Sequence, residues 1–210
     1  MIGKVYSAAV TGIYAVPVEV QADVAPGIPY FELTGNLAGT TKEAKERVRI
    51  AIKNSKFQIN PSKITINMIP ANIRKEGTSY DLAVATAVGV IAAKKVSGAL
   101  FIGELGLDGG ICNVSSILPM TLCARDNGFT ICYVPMGNVG EASLVTGIRV
   151  IGISSLRECV DYINNGCNCR AHIDNNIDNA ADNNIDFADI RGHRLSVPSR
   201  LLPQRDIILC

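Results

Sequence analysis

The sequence contains no tryptophan, only two histidines and no marked excess of either charge. Its 20 basic and 19 acidic residues give a formal net charge of +1, which provides no overall attraction to nucleic acid or to a membrane surface. Binding of that kind would require a local cluster of charge. No uninterrupted apolar stretch reaches the length of about 18 residues that a membrane helix needs, and residues 1–12 lack the apolar core of a signal peptide. We therefore expect a cytoplasmic protein with no membrane partner.

Patterns that bind phosphates or metals are also missing or incomplete. The pattern GxxxxGK followed by Ser or Thr occurs nowhere, so we expect this chain to hold neither ATP nor magnesium as a cofactor. Cys167, Cys169 and His172 supply three metal ligands without a fourth. The run Asp174–Asp178 begins like a calcium loop but lacks the glycine and the closing glutamate. We therefore expect no metal site.

The seven cysteines are an odd number, which favours reduced thiols over a disulfide framework. Four of them fall in strand-like or helix-like patterns, where a thiol acts as a small buried apolar group. These four are Cys112, Cys123, Cys132 and Cys159.

A strand, a charged loop and a helix are predicted to follow one another in the middle of the chain. The segment Ile64–Pro70 alternates between apolar and polar residues, which indicates a strand with one buried face. The loop Ile73–Gly77 carries the charges. A helix is then predicted from apolar residues at helical spacing: Leu82, Ala85, Val88 or Gly89, and Ala92. Ser79 or Thr78 is expected to cap this helix, and Asp81 to complement its dipole.

Strands open the chain, and strands and helices alternate in its second half. The first three strands are expected to pair antiparallel in sequence order: Lys4–Val10, Ile13–Val24 and Tyr30–Leu33. Thr40 or Thr41 then begins an amphipathic helix that runs to Phe57. Its predicted buried stripe is Ala44, Val48, Ala51 and Ile52. The later elements are predicted at Ala99–Leu105, Ile111–Val114, Ile117–Asn127, Thr130–Val134, Asn138–Val145, Arg149–Ile153 and Ser154–Asn164.

Basic residues cluster on the outer face of the amphipathic helix and in the charged loop. The helix face could contact phosphates without reading bases, and it carries Lys42, Lys45, Arg49, Lys53 and Lys56. Glu43 and Glu46 neutralise part of this face and no aromatic residue interleaves with it, so an ordinary solvated face is the alternative. In the loop, Arg74 and Lys75 precede a helix N-terminus that could hold an anion, although an ordinary loop is again the alternative. The candidate anion or partner contacts are therefore Arg74, Lys75, Lys42, Lys45, Arg49 and Lys53.

The composition changes sharply after residue 165. Residues 166–184 are rich in Asn and Asp and too polar to bury a core, so we interpret them as a linker. Residues 185–210 begin like a new module but are too few for a domain. We expect the folded domain to occupy residues 1–165.

Five stretches resemble, in order and spacing, the N-terminal domain of the bacterial magnesium-chelatase-like AAA+ ATPases of the YifB and ComM type. They are TKEAKERVRIAIKNSKF, KITINMIPANIRKEGTSYDLAVATAVGVIAA, FIGELGLDGGI, SSILPMTLCARDNGF and VPMGNVGEASLV. The resemblance covers about residues 1–165. It implies an α+β, ribosomal protein S5 domain 2-like fold, shared with the Lon protease catalytic domain, in which helices pack on a mixed sheet.

The same resemblance bears on the end of the chain and on its partners. Residues 185–193 are similar to the segment that leads into the family's ATPase module, so residues 185–210 are interpreted as a truncated start of that module. Codon degeneracy is compatible with Arg194–Cys210 being translated out of frame. Full-length relatives are implied to be hexameric motors that use ATP and magnesium, some of them acting on DNA. A homo-oligomer would then form through the ATPase module that is expected to be missing here.

Ser79 falls at the nucleophile position of Lon-type proteases when KEGTSYDLAVA is aligned with that family. A serine hydroxyl needs a neighbouring base, and the position of the Lon lysine is occupied by Leu118. No Lys or His occurs in residues 96–171, and Asp108 and Asp126 fall at turns. We therefore predict that Ser79 is an inactive helix cap and that the chain has no catalytic residue.

The leading interpretation is a non-catalytic N-terminal domain of such an ATPase, without activity of its own. One alternative is a Lon-like serine hydrolase. Another is a stand-alone module that binds protein or nucleic acid.

Overall fold

Nine strands and six helices make up the part of the chain that the computed structural model describes, residues 2–57, 61–90 and 96–165. The strands are β1 (Ile2–Thr11), β2 (Tyr14–Pro26), β3 (Tyr30–Thr34), β4 (Ser62–Ile69), β5 (Ala99–Phe101), β6 (Glu104–Leu105), β7 (Ile111–Cys112), β8 (Ile131–Pro135) and β9 (Arg149–Ile153). The helices are α1 (Gly39–Lys42), α2 (Ala44–Asn54), α3 (Asp81–Ala85), α4 (Ile117–Asp126), α5 (Val139–Ala142) and α6 (Leu156–Asn165). A π-helical turn over Thr86–Val90 continues α3, and a 3-10 turn over Met136–Asn138 precedes α5.

Seven strands form one mixed sheet in the order β3-β4-β2-β1-β5-β8-β9, and β6 and β7 form a separate hairpin. The predicted opening hairpin is confirmed: β1 and β2 pair antiparallel from Ile2 opposite Asp23 to Thr11 opposite Tyr14. On the other side of β1, strands β5, β8 and β9 continue the sheet in parallel. The expectation of a mixed sheet with helices packed on it is therefore confirmed.

The prediction that the first three strands pair in sequence order is wrong for β3. β4 occupies the edge of β2, antiparallel from Glu19 opposite Ile69 to Pro26 opposite Ser62, and β3 pairs in parallel with the far side of β4. Burial explains the arrangement, because β4 buries Ile64, Ile66 and Met68 while β3 alternates only between partly buried and exposed positions. The chain therefore reaches β4 through a crossover made of α1 and α2.

Two apolar clusters fill the space on the two faces of the sheet. Alternate residues of one strand enter different clusters: Phe101 packs with α2, α3 and α6, whereas Leu100 packs with α4 and α5. Tyr133 and Val134 on β8 divide in the same way. Because successive side chains of a strand point to opposite faces, helices cover both sides of the sheet.

Gly103 interrupts the strand predicted over Ala99–Leu105. Its amide donates to the carbonyl oxygen of Ser79 at 2.9 Å, and its carbonyl oxygen accepts from the amide of Leu82 at 3.0 Å. A Cβ atom at this glycine would lie 3.5 Å from Cβ of Leu82 and 3.0 Å from Cγ2 of Ile111. The backbone between β5 and β6 is thus held against the start of α3.

The helices differ in how closely they follow the predictions. The buried stripe predicted on the amphipathic helix, Ala44 to Ile52, is confirmed on α2. The short helix α1, which begins at Gly39, precedes α2. Thr41 lies within α1 and does not cap α2, whose N-cap residue is Glu43. Instead, the Thr41 hydroxyl is buried 3.0 Å from the carbonyl oxygens of both Lys75 and Gly77, which share its single proton as acceptors. Within the described residues, the predicted central helix is α-helical over α3 and then kinked in the π turn, where Gly89 adopts a φ of +102°.

Three of the four cysteines named above, Cys123, Cys132 and Cys159, are buried free thiols as predicted. Burial raises the pKa of Cys132 to about 12. Cys112 is exposed, contrary to the prediction, because β7 belongs to the small outer hairpin rather than to the main sheet. No helix among the described residues is long and apolar enough to cross a bilayer.

Several predictions concern residues outside the described ranges. These are Ala92 at the end of the central helix, the linker 166–184, the segment 185–210, and the two incomplete metal patterns at 167–172 and 174–178.

A buried ion pair joins α2 to α3. Nε of Arg47 lies 2.8 Å from Oδ2 of Asp81, and Nη2 lies 3.1 Å from Oδ1. The Asp81 side chain is fully buried, and it also accepts the amide of Leu105 at 3.3 Å. The sequence predicted only that Asp81 complements the dipole of its own helix. Its ion pair with Arg47 on α2 arises from the tertiary structure and was not predicted.

Replacing Arg47 with Met should lower the free energy of unfolding by about 3 kcal/mol, because the Asp81 carboxylate would stay buried without its partner. Arg49→Met is the matched control, since Arg49 forms an exposed pair with Glu46 on the same helix and should change stability by less than about 0.5 kcal/mol. Urea denaturation followed by circular dichroism measures both values. Equal losses in the two variants would contradict the prediction.

Candidate functional site

A cleft of about 440 Å³ opens between the loop before α3, the start of β6 and the segment before α4. Hydroxyls and carboxylates dominate its polar lining, which includes Glu76, Thr78, Ser79, Glu104, Ser115 and Ser116. We call it the Ser79 cleft. The structure thus places the serine singled out by the sequence in a cavity, together with polar residues that are distant in the chain.

Ser79 does not cap α3, which corrects the prediction made from the sequence. The residue at the N-cap position is Tyr80, and no side chain among the described residues caps this helix. Backbone carbonyls take over that role, because the Asp81 amide donates to the carbonyl oxygen of Thr78 and the Leu82 amide to that of Gly103. Ser79 itself is nearly buried, with 7% of its surface exposed, and faces the cleft.

Thr78 forms the closest side-chain contact in the cleft. Its hydroxyl donates to Oε2 of Glu104 at 2.5 Å. From the sequence, Asp108 and Asp126 were considered as possible bases, but Glu104 was not. Glu104 begins β6 directly after Gly103, which interrupts the predicted strand, and its carboxylate contacts the loop before α3. A hydroxyl and a carboxylate in contact are two parts of a hydrolytic site, but the base that most often activates a serine hydroxyl is a His or a Lys.

The described lining of the Ser79 cleft contains no Lys and no His. Leu118, which the resemblance to Lon-type proteases was expected to place at the lysine position, packs against the apolar cluster beneath α4, and its amide lies 3.3 Å from Oε1 of Glu141. The two ionisable side chains in that lining are therefore Glu76 and Glu104.

Lys75 is not available to an anion or a partner, which corrects its place among the candidate contacts. Its side chain is fully buried, and Nζ donates to the carbonyl oxygen of Gly35 at 2.9 Å and to that of Pro70. Burial lowers the pKa of Lys75. Because Lys75 lies in a run of charged residues, its burial could not be predicted from the local pattern. The neighbouring Arg74 is exposed, as expected, and pairs with Glu76 at 3.0 Å.

A second and larger concavity, of about 1060 Å³, lies between α2, β3 and the start of β4. We call it the α2–β3 groove. Four cations that were predicted to lie on the outer face of the helix line it: Lys45, Arg49, Lys53 and Lys56. All four are exposed, as is Lys42, which lies outside the lining.

Three aromatic side chains also line the α2–β3 groove: Tyr30, Phe31 and Phe57. The helix sequence shows no aromatic residue interleaved with its basic residues. In the folded protein, however, aromatic side chains lie beside that basic face. The parallel pairing of β3 with β4 brings Tyr30 and Phe31 beside α2, and no local pattern predicts that pairing.

Residues 20–138 match the model of the family described as subunit ChlI of Mg-chelatase. An uncharacterized protein of Mycobacterium tuberculosis is 33% identical over 195 residues, which is 91% of this chain and 39% of that protein. Competence protein ComM of Haemophilus influenzae is 33% identical over 166 residues, 76% of this chain and 32% of ComM. The uncharacterized protein YifB of Escherichia coli is 35% identical over 147 residues, 68% of this chain and 29% of YifB. The chain thus spans about two fifths or less of the length of these relatives.

Replacing Lys75 with Met should lower the free energy of unfolding by about 2 kcal/mol, because the carbonyl oxygens of Gly35 and Pro70 would lose their buried donor. Arg74→Met is the matched control and should change stability by no more than about 0.5 kcal/mol, since that side chain is exposed. Chemical denaturation of the two variants and the parent gives the comparison. A Lys75→Met protein as stable as Arg74→Met would show that the buried contacts contribute nothing.

Proposed function

Because this chain belongs to the family of subunit ChlI of Mg-chelatase, we propose that it is the non-catalytic N-terminal domain of a magnesium-chelatase-like AAA+ ATPase of the ComM and YifB type. The similarity to ComM and YifB supports the proposal. In this proposal the domain has the S5 domain 2-like fold shared with Lon proteases and occupies residues 1–165. A linker over 166–184 then leads to the beginning of an ATPase module at 185–210.

The proposal includes the setting in which such a domain works. ATP and magnesium act at the ATPase module of the full-length family and are not cofactors of this chain. Homo-oligomers form through that module, in the cytoplasm. DNA is the partner proposed for the full-length family.

The observation that carries the non-catalytic role is the composition of the Ser79 cleft. Ser79 lies where a Lon-type nucleophile would, yet the ionisable groups in the described lining are the carboxylates of Glu76 and Glu104. The contact that Glu104 makes runs to Thr78 rather than to Ser79. General base catalysis is most effective when the base has a pKa near the operating pH, as a Lys in a suitable environment or a His does. The Ser79 hydroxyl therefore has no Lys or His beside it in the described lining, which supports the proposed non-catalytic role.

A serine-reactive phosphonate should not label Ser79, and the chain should not hydrolyse peptide or ester substrates. Ser79→Ala and Thr78→Val should leave the background rate unchanged, as should Ser116→Ala, an exposed serine at the cleft that serves as the control. Mass spectrometry locates any label. Stoichiometric labelling at Ser79, or turnover that Ser79→Ala abolishes and Ser116→Ala does not, would establish the alternative of a Lon-like hydrolase.

The chain should also fail to bind ATP in the micromolar range, because nucleotide phosphates need a cradle of amides with a Lys and a magnesium-binding hydroxyl beside it. The sequence contains no such pattern. Calorimetric titration of the 210-residue chain with ATP and magnesium tests this expectation. A saturating heat with a micromolar dissociation constant would contradict it.

A second candidate function, binding to nucleic acid through the α2–β3 groove, has its own observation. Four cations and one carboxylate, Glu46, line the groove, although the whole chain has a net charge of only +1. Arg49 pairs with Glu46 at 2.8 Å, whereas Lys45, Lys53 and Lys56 make no ion pair within the described residues. A local concentration of unpaired positive charge is the electrostatic feature that phosphate backbones recognise.

A further inference from the structure

The cations of the α2–β3 groove form a row along its helical wall. Lys45, Arg49 and Lys53 are spaced four residues apart on α2, so successive members are separated by about 6 Å along the helix axis. Lys56 extends the row beyond the end of the helix. A linear series of positive charges on one wall can follow the phosphates of a single strand along its length.

The aromatic side chains provide a different kind of contact from the phosphate-binding row. Tyr30 on β3 is 50% exposed, and Phe57 and Phe31 are partly buried in the lining. The buried side chains of Ile52 on α2 and Ile64 on β4 also line the groove and add apolar surface to it. Accessible rings above an apolar surface can stack with unpaired bases, whose faces are hidden within a duplex.

We propose that the α2–β3 groove is a binding site for single-stranded nucleic acid, with phosphates along Lys45, Arg49 and Lys53 and a base stacked on Tyr30. This inference rests on the proposed binding of nucleic acid and adds that the bound nucleic acid is single-stranded. A duplex would use the cations alone. The exposed pair between Arg49 and Glu46 presents little obstacle, because surface ion pairs contribute little and a phosphate can replace the carboxylate.

The test uses the 210-residue chain with a fluorescently labelled oligothymidylate and the same strand annealed to oligoadenylate. Fluorescence anisotropy should show tighter binding to the single strand. The logarithm of its affinity should fall with the logarithm of salt concentration with a slope of about −2, as expected when about three phosphates are neutralised. Lys53→Ala should reduce the steepness of that slope by about 0.7.

Stacking is tested with Tyr30→Leu and, as a second variant, Phe57→Leu. Each should weaken single-strand binding about tenfold and leave duplex binding and the salt slope unchanged. Tyr14→Leu is the matched control, because Tyr14 is 72% exposed at the start of β2 and does not line the groove. Circular dichroism confirms that each variant is folded. A Tyr30→Leu protein that binds the single strand as the Tyr14→Leu protein does would overturn the role of the ring.

The possible outcomes separate this inference from the function on which it rests. Equal affinity for single strand and duplex, lost together in Lys53→Ala, would overturn the preference for a single strand and keep the nucleic-acid function. Failure to bind either oligonucleotide would overturn both. Polyglutamate of matched length that competes as effectively as oligothymidylate would identify a general polyanion or acidic-peptide site and would also overturn the proposal.

Discussion

The ion pair between Arg47 and Asp81 is the contact on which the placement of both concave sites depends. Arg47 belongs to α2, which carries the cations of the α2–β3 groove on its outer face. Asp81 begins α3 two residues after Ser79 of the cleft, and it accepts the amide of Leu105 in β6. A single buried carboxylate therefore fixes the position of a helix, the loop before α3 and the small hairpin relative to one another.

Burying such a pair has an energetic cost that its geometry has to offset. Burial raises the pKa of Asp81, and the two hydrogen bonds from Arg47 together with the amide of Leu105 oppose that change. The same contact raises the pKa of Arg47. Apolar side chains of equal volume could provide comparable stability, since the desolvation of two charges often cancels their attraction. Apolar side chains would not fix the relative orientation of α2 and α3, because their contacts are non-directional. A bidentate pair between a guanidinium and a carboxylate requires one relative orientation of the two groups.

The sequence predicted features that arise from periodicity, and it failed where distant segments meet. Alternation located β4, and helical spacing identified the buried face of α2. The parallel pairing of β3 could not be predicted, because its residues would suit either neighbour and the choice depends on the burial of β4. Lys75 was missed for a related reason. Its burial follows from two carbonyl oxygens, of Gly35 and Pro70, that point inward from separate loops.

The two sites differ in charge, and this difference determines which of them can receive an anionic ligand. Glu76 and Glu104 are the ionisable side chains in the described lining of the Ser79 cleft, and carboxylates there disfavour an anionic ligand. The cations of the α2–β3 groove could be identified from α2 alone, but their aromatic companions are supplied by β3 and by the residue Phe57 beyond the helix. A row of charge without rings would attract any polyanion. In the proposed single-strand site, the contribution of the fold is to place aromatic rings beside a basic helix, so that the surface would distinguish exposed bases from paired ones.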